Sequence, residues 1–299
     1  KKNSPGCHLS DIVQGLIENS IDSSADEIII SIVNDGFSSI KVEDNGHGIP
    51  KSSIPVVCSQ NFSSRQEETE NFFGFSGSFL SSISCASRIK IETRTRNDDR
   101  GSLSIYEFSR MIGFEERPDV RLGTTVEIEN FLYNFPEQRK KARLNPKEEN
   151  KMIDTIAKYA IAYSWIKFEV SINSRYVLRT NGHTDFFSTL TKLHHITDPL
   201  NYFRAFNLEI SKDIHAIAFL SSPRYTSQNL HNPLYLRAIF LNGRLVSIPT
   251  IKKSLNNWYD EFKSKISKTS LKLPYFIFIK YPDDRFNGGF CLSENTFNS

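Results

Sequence analysis

Two polar side chains, Asn19 and Asp22, lie three residues apart in the stretch QGLIENSID (14–22), whose apolar residues recur with helical spacing. On a helix this spacing places them at neighbouring positions of one face. Amide and carboxylate oxygens suit Mg²⁺, a hard cation that prefers oxygen ligands and keeps several waters. Taken alone, the pair is also typical of an ordinary solvated helix face. Gly15, one turn earlier on the same face, is unusual because glycine inside a helix costs about 1 kcal/mol relative to alanine.

A second candidate is EDNGHGI (43–49), where Asp44 follows a strand-like run and Gly46 and Gly48 follow the aspartate. Glycines let a backbone approach a ligand closely, and the Asp44 carboxylate could accept a hydrogen bond from an adenine amino group. The alternative is a tight turn with a local aspartate hydrogen bond.

Two further segments are weaker on their own. FFGFSGSFL (72–80) has Gly74 and Gly77 before a possible helix, where free backbone N–H groups could bind phosphates or the glycines could simply form a hinge. GTT (123–125) enters a strand and could place a hydroxyl of Thr124 or Thr125 near a ligand.

The elements that would position these residues form an α+β pattern in both halves of the chain. A polar stretch at 193–201 is a plausible domain boundary. The pattern predicts helices at 9–20, 76–86, 148–164 and 251–265, and strands at 27–33, 40–46, 87–96, 102–109, 123–131, 166–173, 213–222, 235–246 and 273–281.

Composition sets only broad limits. The 299 residues carry a net charge of +3, which permits nucleic acid as a partner without requiring it, although seven lysines make 250–280 locally basic. The four cysteines form no metal-binding spacing and suit a reducing compartment, cytosolic or nuclear. We expect no membrane span or signal peptide, and the absence of an initial methionine suggests that the first residue is an internal boundary.

The ordered set of motifs resembles the GHKL ATPases and, within them, the MutL homologues of DNA mismatch repair. The resemblance is carried by Leu16–Asp22, Asp44–Ile49, Gly74-Phe75-x-Gly77 and Gly123–Thr125, and by NFP (134–136) followed by Arg139, Lys140 and Lys141. FLNGRLV (240–246) and LPYFIFI (273–279) extend it into the second half. It implies an α+β fold: a GHKL (Bergerat) α/β sandwich over residues 1–199 and a transducer domain similar to ribosomal protein S5 over 200–299.

The resemblance also implies roles for individual residues. Asn19 would be the Mg²⁺ ligand, Asp44 the adenine acceptor, and Asp22 would help to order the site. Gly46 and Gly48 would shape the nucleotide turn, Gly74 and Gly77 would contact phosphates, and Thr125 would support the adenine end. Thr124 would also belong to the cofactor-binding residues. Ser64 and Arg65 stand where the family has Ser-Lys of Thr-Ser-Lys.

The general base of the family is missing. Its motif Lys-Glu-Leu-x-Glu-Asn-Ser-x-Asp has a glutamate where this chain has Gly15, and Glu18 matches a second glutamate that is better interpreted as structural. The family's Gly-Phe-Arg-Gly-Glu-Ala-Leu has lost its Arg and Glu here, the lid segment 66–73 is short, and no counterpart of the C-terminal His-Pro-x-Lys is found. We therefore expect weak or no ATP hydrolysis, and we expect the fold to tolerate Gly15→Glu.

These observations predict the N-terminal region of a divergent eukaryotic MutL homologue similar to the postmeiotic-segregation branch. It would be a nuclear accessory subunit in mismatch repair or meiotic recombination that binds ATP and Mg²⁺. It would contact DNA through Arg139, Lys140, Lys141, Lys252, Lys253, Lys263 and Lys265, and would pair with a MutL-homologue subunit through a C-terminal region absent here, without a membrane. The alternatives are an active ATPase that uses Glu18 or a partner residue as base, and a GHKL chaperone or kinase, against which FLNGRLV argues.

Overall fold

The computed structural model describes residues 8–59, 79–145, 147–194, 199–221, 236–266 and 274–281, with the backbone alone at 199, 201 and 262–266. The chain divides into two compact units, residues 1–189 and 190–299. The helices are α1 (Leu9–Asp22), α2 (Phe79–Ser84), α3 (Pro136–Arg143), α4 (Glu148–Ala162), α5 (Phe186–His194), α6 (Pro199–Tyr202) and α7 (Pro249–Ile266). None of these helices is both long and apolar enough to cross a bilayer.

The first unit is built on an eight-stranded mixed sheet in the order β5-β4-β3-β6-β2-β1-β7-β8. Its strands are β1 (Glu27–Val33), β2 (Ser39–Asp44), β3 (Arg88–Arg94), β4 (Gly101–Glu107), β5 (Arg110–Arg117), β6 (Gly123–Glu129), β7 (Lys167–Ile172) and β8 (Arg175–Arg179). All pairs are antiparallel except β1 with β7. In β1, β2, β3 and β6 buried residues alternate with more exposed ones, as expected for a sheet with one covered face.

Helix α1 forms because its apolar residues fall on one stripe. Ile12, Val13, Leu16 and Ile17 are almost completely buried, and α1 packs beside α4. The helix ends at Asp22, after which a turn leads to β1. Because β2 lies between β1 and β6, the end of α1, the carboxyl end of β2 and the start of β6 come together. This corner holds most of the described candidate site residues.

The second unit has a five-stranded sheet in the order β12-β11-β13-β10-β9. Its strands are β9 (Phe203–Ser211), β10 (Ile214–Ser221), β11 (Arg237–Leu241), β12 (Arg244–Leu245) and β13 (Tyr275–Lys280). Ile251 and Leu255 of α7 pack against a core formed by Ala218, Ile239, Tyr275 and Ile277. The predicted domain boundary at 199/200 and the observed division at 189/190 both fall between the two sheets.

Several predicted elements differ from the structure. The predicted strand 235–246 is a hairpin, because Asn242 and Gly243 adopt positive φ and reverse the chain between β11 and β12. The helix predicted at 76–86 is described only from Phe79 and ends at Ser84. Strands β5, β8 and β9 and helices α3, α5 and α6 were not predicted.

Candidate functional site

Asp44 is the best-anchored side chain of the site. Its Oδ1 accepts hydrogen bonds from the Gly46 backbone N–H at 2.9 Å and the Ser23 hydroxyl at 3.3 Å, and its Oδ2 accepts one from the Ser20 hydroxyl at 3.0 Å. Burial raises the pKa of Asp44 above its ordinary value, although these bonds and one from the Thr124 backbone oppose the shift. The structure therefore holds this carboxylate in one orientation between α1 and the glycine loop.

The glycine loop after Asp44 is fastened to the turn that follows α1. Asn45 Oδ1 accepts hydrogen bonds from the backbone N–H groups of Asp26 and Glu27, both at 3.0 Å, and the His47 N–H donates to Ser23 O at 3.0 Å. A Cβ at Gly46 would lie 2.0 Å from Ser23 Oγ, so only glycine allows this approach.

Gly48 completes the loop in a conformation that favours glycine. Its φ is +76°, and a Cβ there would lie 2.4 Å from the Arg94 carbonyl oxygen. The next residue, Ile49, donates its backbone N–H to the buried Thr93 hydroxyl at 2.8 Å. The loop thus passes directly from α1 to the end of β3, and both predicted glycines are required by its path.

Asn19 and Asp22 are both exposed on α1, and Asp22 precedes Ser23, which contacts this loop. No group of three or more His, Cys, Asp or Glu side chains in the described residues is arranged to hold a metal ion. A cation here would therefore be held by Asn19 together with groups of a ligand and water. Mg²⁺ commonly binds in this way beside phosphates.

Phe79 occupies the space beside Gly15. A Cβ at Gly15 would lie 2.4 to 2.8 Å from Cζ, Cε2 and Cε1 of the Phe79 ring, and Phe79 is 7% exposed. A side chain at position 15 would require this buried ring to move. The expectation that the fold tolerates Gly15→Glu is therefore wrong for the chain as it stands, because the glycine and the ring form one packing unit.

Glu18 faces helix α4 instead of the site. Its Oε1 accepts hydrogen bonds from Gln14 Nε2 at 3.0 Å and from the Tyr159 hydroxyl, and the residue is 5% exposed. Tyr159 lies in α4, so this carboxylate joins the two helices. Its position favours the structural interpretation of Glu18 over its use as a general base.

Thr124 and Thr125 lie on opposite faces of the sheet. Thr124 pairs with Asp44 and is buried, and its hydroxyl lies 3.3 Å from that of Thr93. Thr125 pairs with Glu43, so its side chain points to the other face. The structure brings Thr124 to the site and separates Thr125 from it, which corrects the predicted placement of Thr125 at the adenine end.

Other predicted residues lie outside the described part of the chain. These are Ser64, Arg65, Gly74 and Gly77, the lid segment 66–73, and the C-terminal stretch 282–299.

The predicted basic surfaces divide into two groups. Lys140 and Lys141 are exposed on α3, a helix with no buried residue. Arg139 instead donates to the carbonyl oxygens of Phe37 at 2.8 Å and Asn130 at 3.5 Å, so its guanidinium is used within its own unit. Its assignment as a DNA contact stays a prediction.

The second unit supplies the other basic residues, on α7. Lys253 is exposed, Lys252 Nζ donates to Ser247 Oγ at 2.9 Å, and the side chains of Lys263 and Lys265 are not described.

Sequence reasoning missed Ser20, Ser23, Thr93 and Phe79 as parts of the site. Ser20 is the serine of the quoted motif Glu-Asn-Ser-x-Asp, but no role was assigned to it, and Ser23 and Thr93 belong to no motif. Phe79, however, stands at the alanine of Gly-Phe-Arg-Gly-Glu-Ala-Leu, and this small-to-large change was a signal that the space beside position 15 had been filled.

Comparison with known proteins identifies the architecture. Residues 8–134 match the family of histidine kinase-, DNA gyrase B- and HSP90-like ATPases. These residues belong to a GHKL ATPase domain and lie within the first compact unit. The GHKL domain lies in a chain that is homologous to MutL and PMS1 proteins: it is 28% identical to DNA mismatch repair protein PMS1 of Arabidopsis thaliana over 269 residues, 86% of this chain.

Solved structures agree with this fold. The crystal structure of the N-terminal domain of a DNA repair protein superimposes with a TM-score of 0.74 at 21% identity, covering 92% of this chain and 84% of that one. The Aquifex aeolicus MutL ATPase domain complexed with ADP gives a TM-score of 0.61 at 20% identity, covering 91% of each chain. The chain spans 29% of the length of the Arabidopsis protein and 40% of a MutL protein from Actinobacillus succinogenes.

Proposed function

We propose that this chain is the N-terminal, adenine-nucleotide-binding region of a catalytically impaired MutL homologue that acts with DNA and a partner subunit. It binds ATP or its products with Asp44 as the adenine acceptor and Asn19 as the residue that would hold Mg²⁺. The donor set fits this assignment because Asp44 is fixed by three hydrogen bonds, while Asn19 is exposed on the same corner of the domain. When bound, the metal would neutralise phosphate charge.

The proposal that hydrolysis is impaired rests on the packing of the Phe79 ring against Gly15. No carboxylate can project from position 15, and the space beside it holds an aromatic ring. Loss of a general base typically lowers a rate by 10²–10⁴-fold. We therefore infer that nucleotide binding and nucleotide hydrolysis are separated in this chain.

The alternative is an active ATPase whose base is Glu18 or a residue of a partner. The burial of Glu18 and its hydrogen bond from Tyr159 oppose the first form of this alternative, because a base must reach the attacking water. A base supplied by a partner is tested by assaying the chain in its assembled state.

The similarity of the chain to mismatch-repair proteins supports a wider role. The relatives are mismatch-repair proteins, and the exposed lysines of α3 and α7 supply positive charge for the DNA backbone. We place the protein in the nucleus, as an accessory subunit in mismatch repair or meiotic recombination. It would pair with a second MutL homologue through a C-terminal region beyond this chain.

A titration tests the nucleotide assignment directly. Fluorescent ADP and ATP are added to the chain with and without Mg²⁺, and the same sample is assayed for steady-state phosphate release. We expect saturable binding and phosphate release no faster than that of buffer. Absence of binding would overturn the proposal, and turnover abolished by Glu18→Gln would establish the alternative.

A further inference from the structure

We infer that the nucleotide site of this chain selects diphosphates over triphosphates, because Phe79 closes the end of the site that a terminal phosphate would enter. This inference rests on the proposed nucleotide binding and specifies the ligand class of that same site. It depends on the order of groups along α1 and on the position of one aromatic ring.

The order of groups along α1 gives the ligand a direction. Ser20 and Ser23 hold the Asp44 carboxylate at the C-terminal end of the helix. Asn19 follows towards the N-terminus, and Gly15 lies one turn beyond Asn19. Ser20 lies five positions after Gly15, about 7.5 Å along the helix axis. A nucleotide whose base is bound at Asp44 and whose phosphate chain passes Asn19 therefore extends towards Gly15.

Phe79 lies at the Gly15 end of this path. Three ring carbons stand within 2.8 Å of the position that a Cβ of residue 15 would occupy, so the ring lies directly against the helix backbone. Gly15, Asn19 and Asp22 lie on one face of α1, and the ring covers the first of these positions while Asn19 and Asp22 stay exposed.

The ring is also a poor neighbour for a charged group. An apolar aromatic surface offers no hydrogen-bond donor to phosphate oxygens, and transfer of a charge against it has a large desolvation cost. Each added phosphate moves the negative end of the ligand closer to this surface. A diphosphate ends before Phe79, whereas the third phosphate must either contact the ring or displace it.

Competition binding tests the inference. ADP and the non-hydrolysable analogue AMP-PNP, both with Mg²⁺, are titrated into the chain and into Phe79→Ala and Phe79→Leu variants. We expect the parent to bind ADP at least tenfold more tightly than AMP-PNP. Phe79→Ala should reduce this ratio at least fivefold, by gaining affinity for AMP-PNP with little change for ADP. Phe79→Leu keeps an apolar side chain in the core and should give an intermediate ratio, so a result remains if the alanine variant does not fold.

The possible outcomes separate the two claims. If the parent binds AMP-PNP as tightly as ADP or more tightly, the diphosphate selectivity is wrong and the proposed nucleotide binding stands. If both Phe79 variants keep the ratio of the parent, the ring is not its cause and the inference is likewise overturned. If the parent binds neither nucleotide, the proposed function fails and the inference fails with it.

Discussion

At the scale of single residues, the site depends on how the Asp44 carboxylate is held. We expect Asp44→Asn to weaken ADP binding by tenfold or more, because a neutral amide replaces a charge-assisted acceptor for the adenine amino group. The measurement is a binding titration at neutral pH. Glu43→Gln is the matched control, since Glu43 precedes Asp44 on β2 and points to the other face of the sheet. Equal affinity of Asp44→Asn and the parent would reject Asp44 as the adenine acceptor.

Asp44 should also make stability depend on pH. Burial raises its pKa in the folded state above the ordinary value of 3.8, so the folded chain holds this proton to a higher pH than the unfolded chain. The contribution to stability is complete below pH 3.8 and is lost as pH rises through the raised pKa. Asp44→Asn should therefore gain in unfolding free energy relative to the parent as pH increases, measured by urea unfolding between pH 4 and 7. A difference that shrinks with rising pH would contradict this sign.

At the scale of elements, the contact between α1 and α2 requires a glycine at position 15. We expect Gly15→Ala to lower the melting temperature of the parent, because the new Cβ would meet the Phe79 ring at 2.4 Å. In a Phe79→Ala background the same change should raise it by roughly 2–4 °C, since alanine favours a helix by about 1 kcal/mol over glycine.

The effect of Gly15→Ala on the melting temperature should thus change sign between the two backgrounds. It is measured from the melting curves of four proteins: the parent, each single variant and the double variant. Gly113→Ala on β5 is the control, because a Cβ there would lie at an ordinary 3.5 Å from Ile105 Cδ1. A Gly15→Ala effect that is the same in both backgrounds would show that the ring and the glycine are independent.

The elements themselves were predictable where periodicity was strong. Helices α1 and α4 and strands β1 to β4 follow from apolar spacing, as does α7. Strand β5 was missed because it is an edge strand whose Ile112 and Phe114 stay exposed, so its pattern carries no burial signal.

The candidate site was predicted as motifs, but the contacts of Phe79 and Tyr159 join residues more than 60 positions apart, and local spacing contains no information on them.

At the scale of the whole molecule, charge on the surface should determine DNA binding. We expect Lys140→Glu combined with Lys141→Glu to weaken binding to duplex DNA, and to reduce the slope of log affinity against log salt by about 2, because each phosphate contact releases counterions. Lys253→Glu tests the second unit separately. Arg175→Glu, an exposed residue on edge strand β8, is the control. If the slope of log affinity against log salt is unaltered in the lysine variants, α3 and α7 do not contact DNA.

The central claim is that this GHKL domain keeps an adenine-nucleotide site but has lost the catalytic carboxylate. Gly15 stands at the position of that carboxylate, and the Phe79 ring fills the space beside it. The most direct test is a single-turnover experiment, in which radiolabelled ATP and Mg²⁺ are mixed with excess protein and the bound nucleotide is quenched and separated over time. The account predicts that the bound nucleotide is recovered as intact ATP, with conversion no faster than without protein. Conversion of bound ATP to ADP that disappears in Glu18→Gln would contradict it, and would make Glu18 the base despite its hydrogen bond from Tyr159.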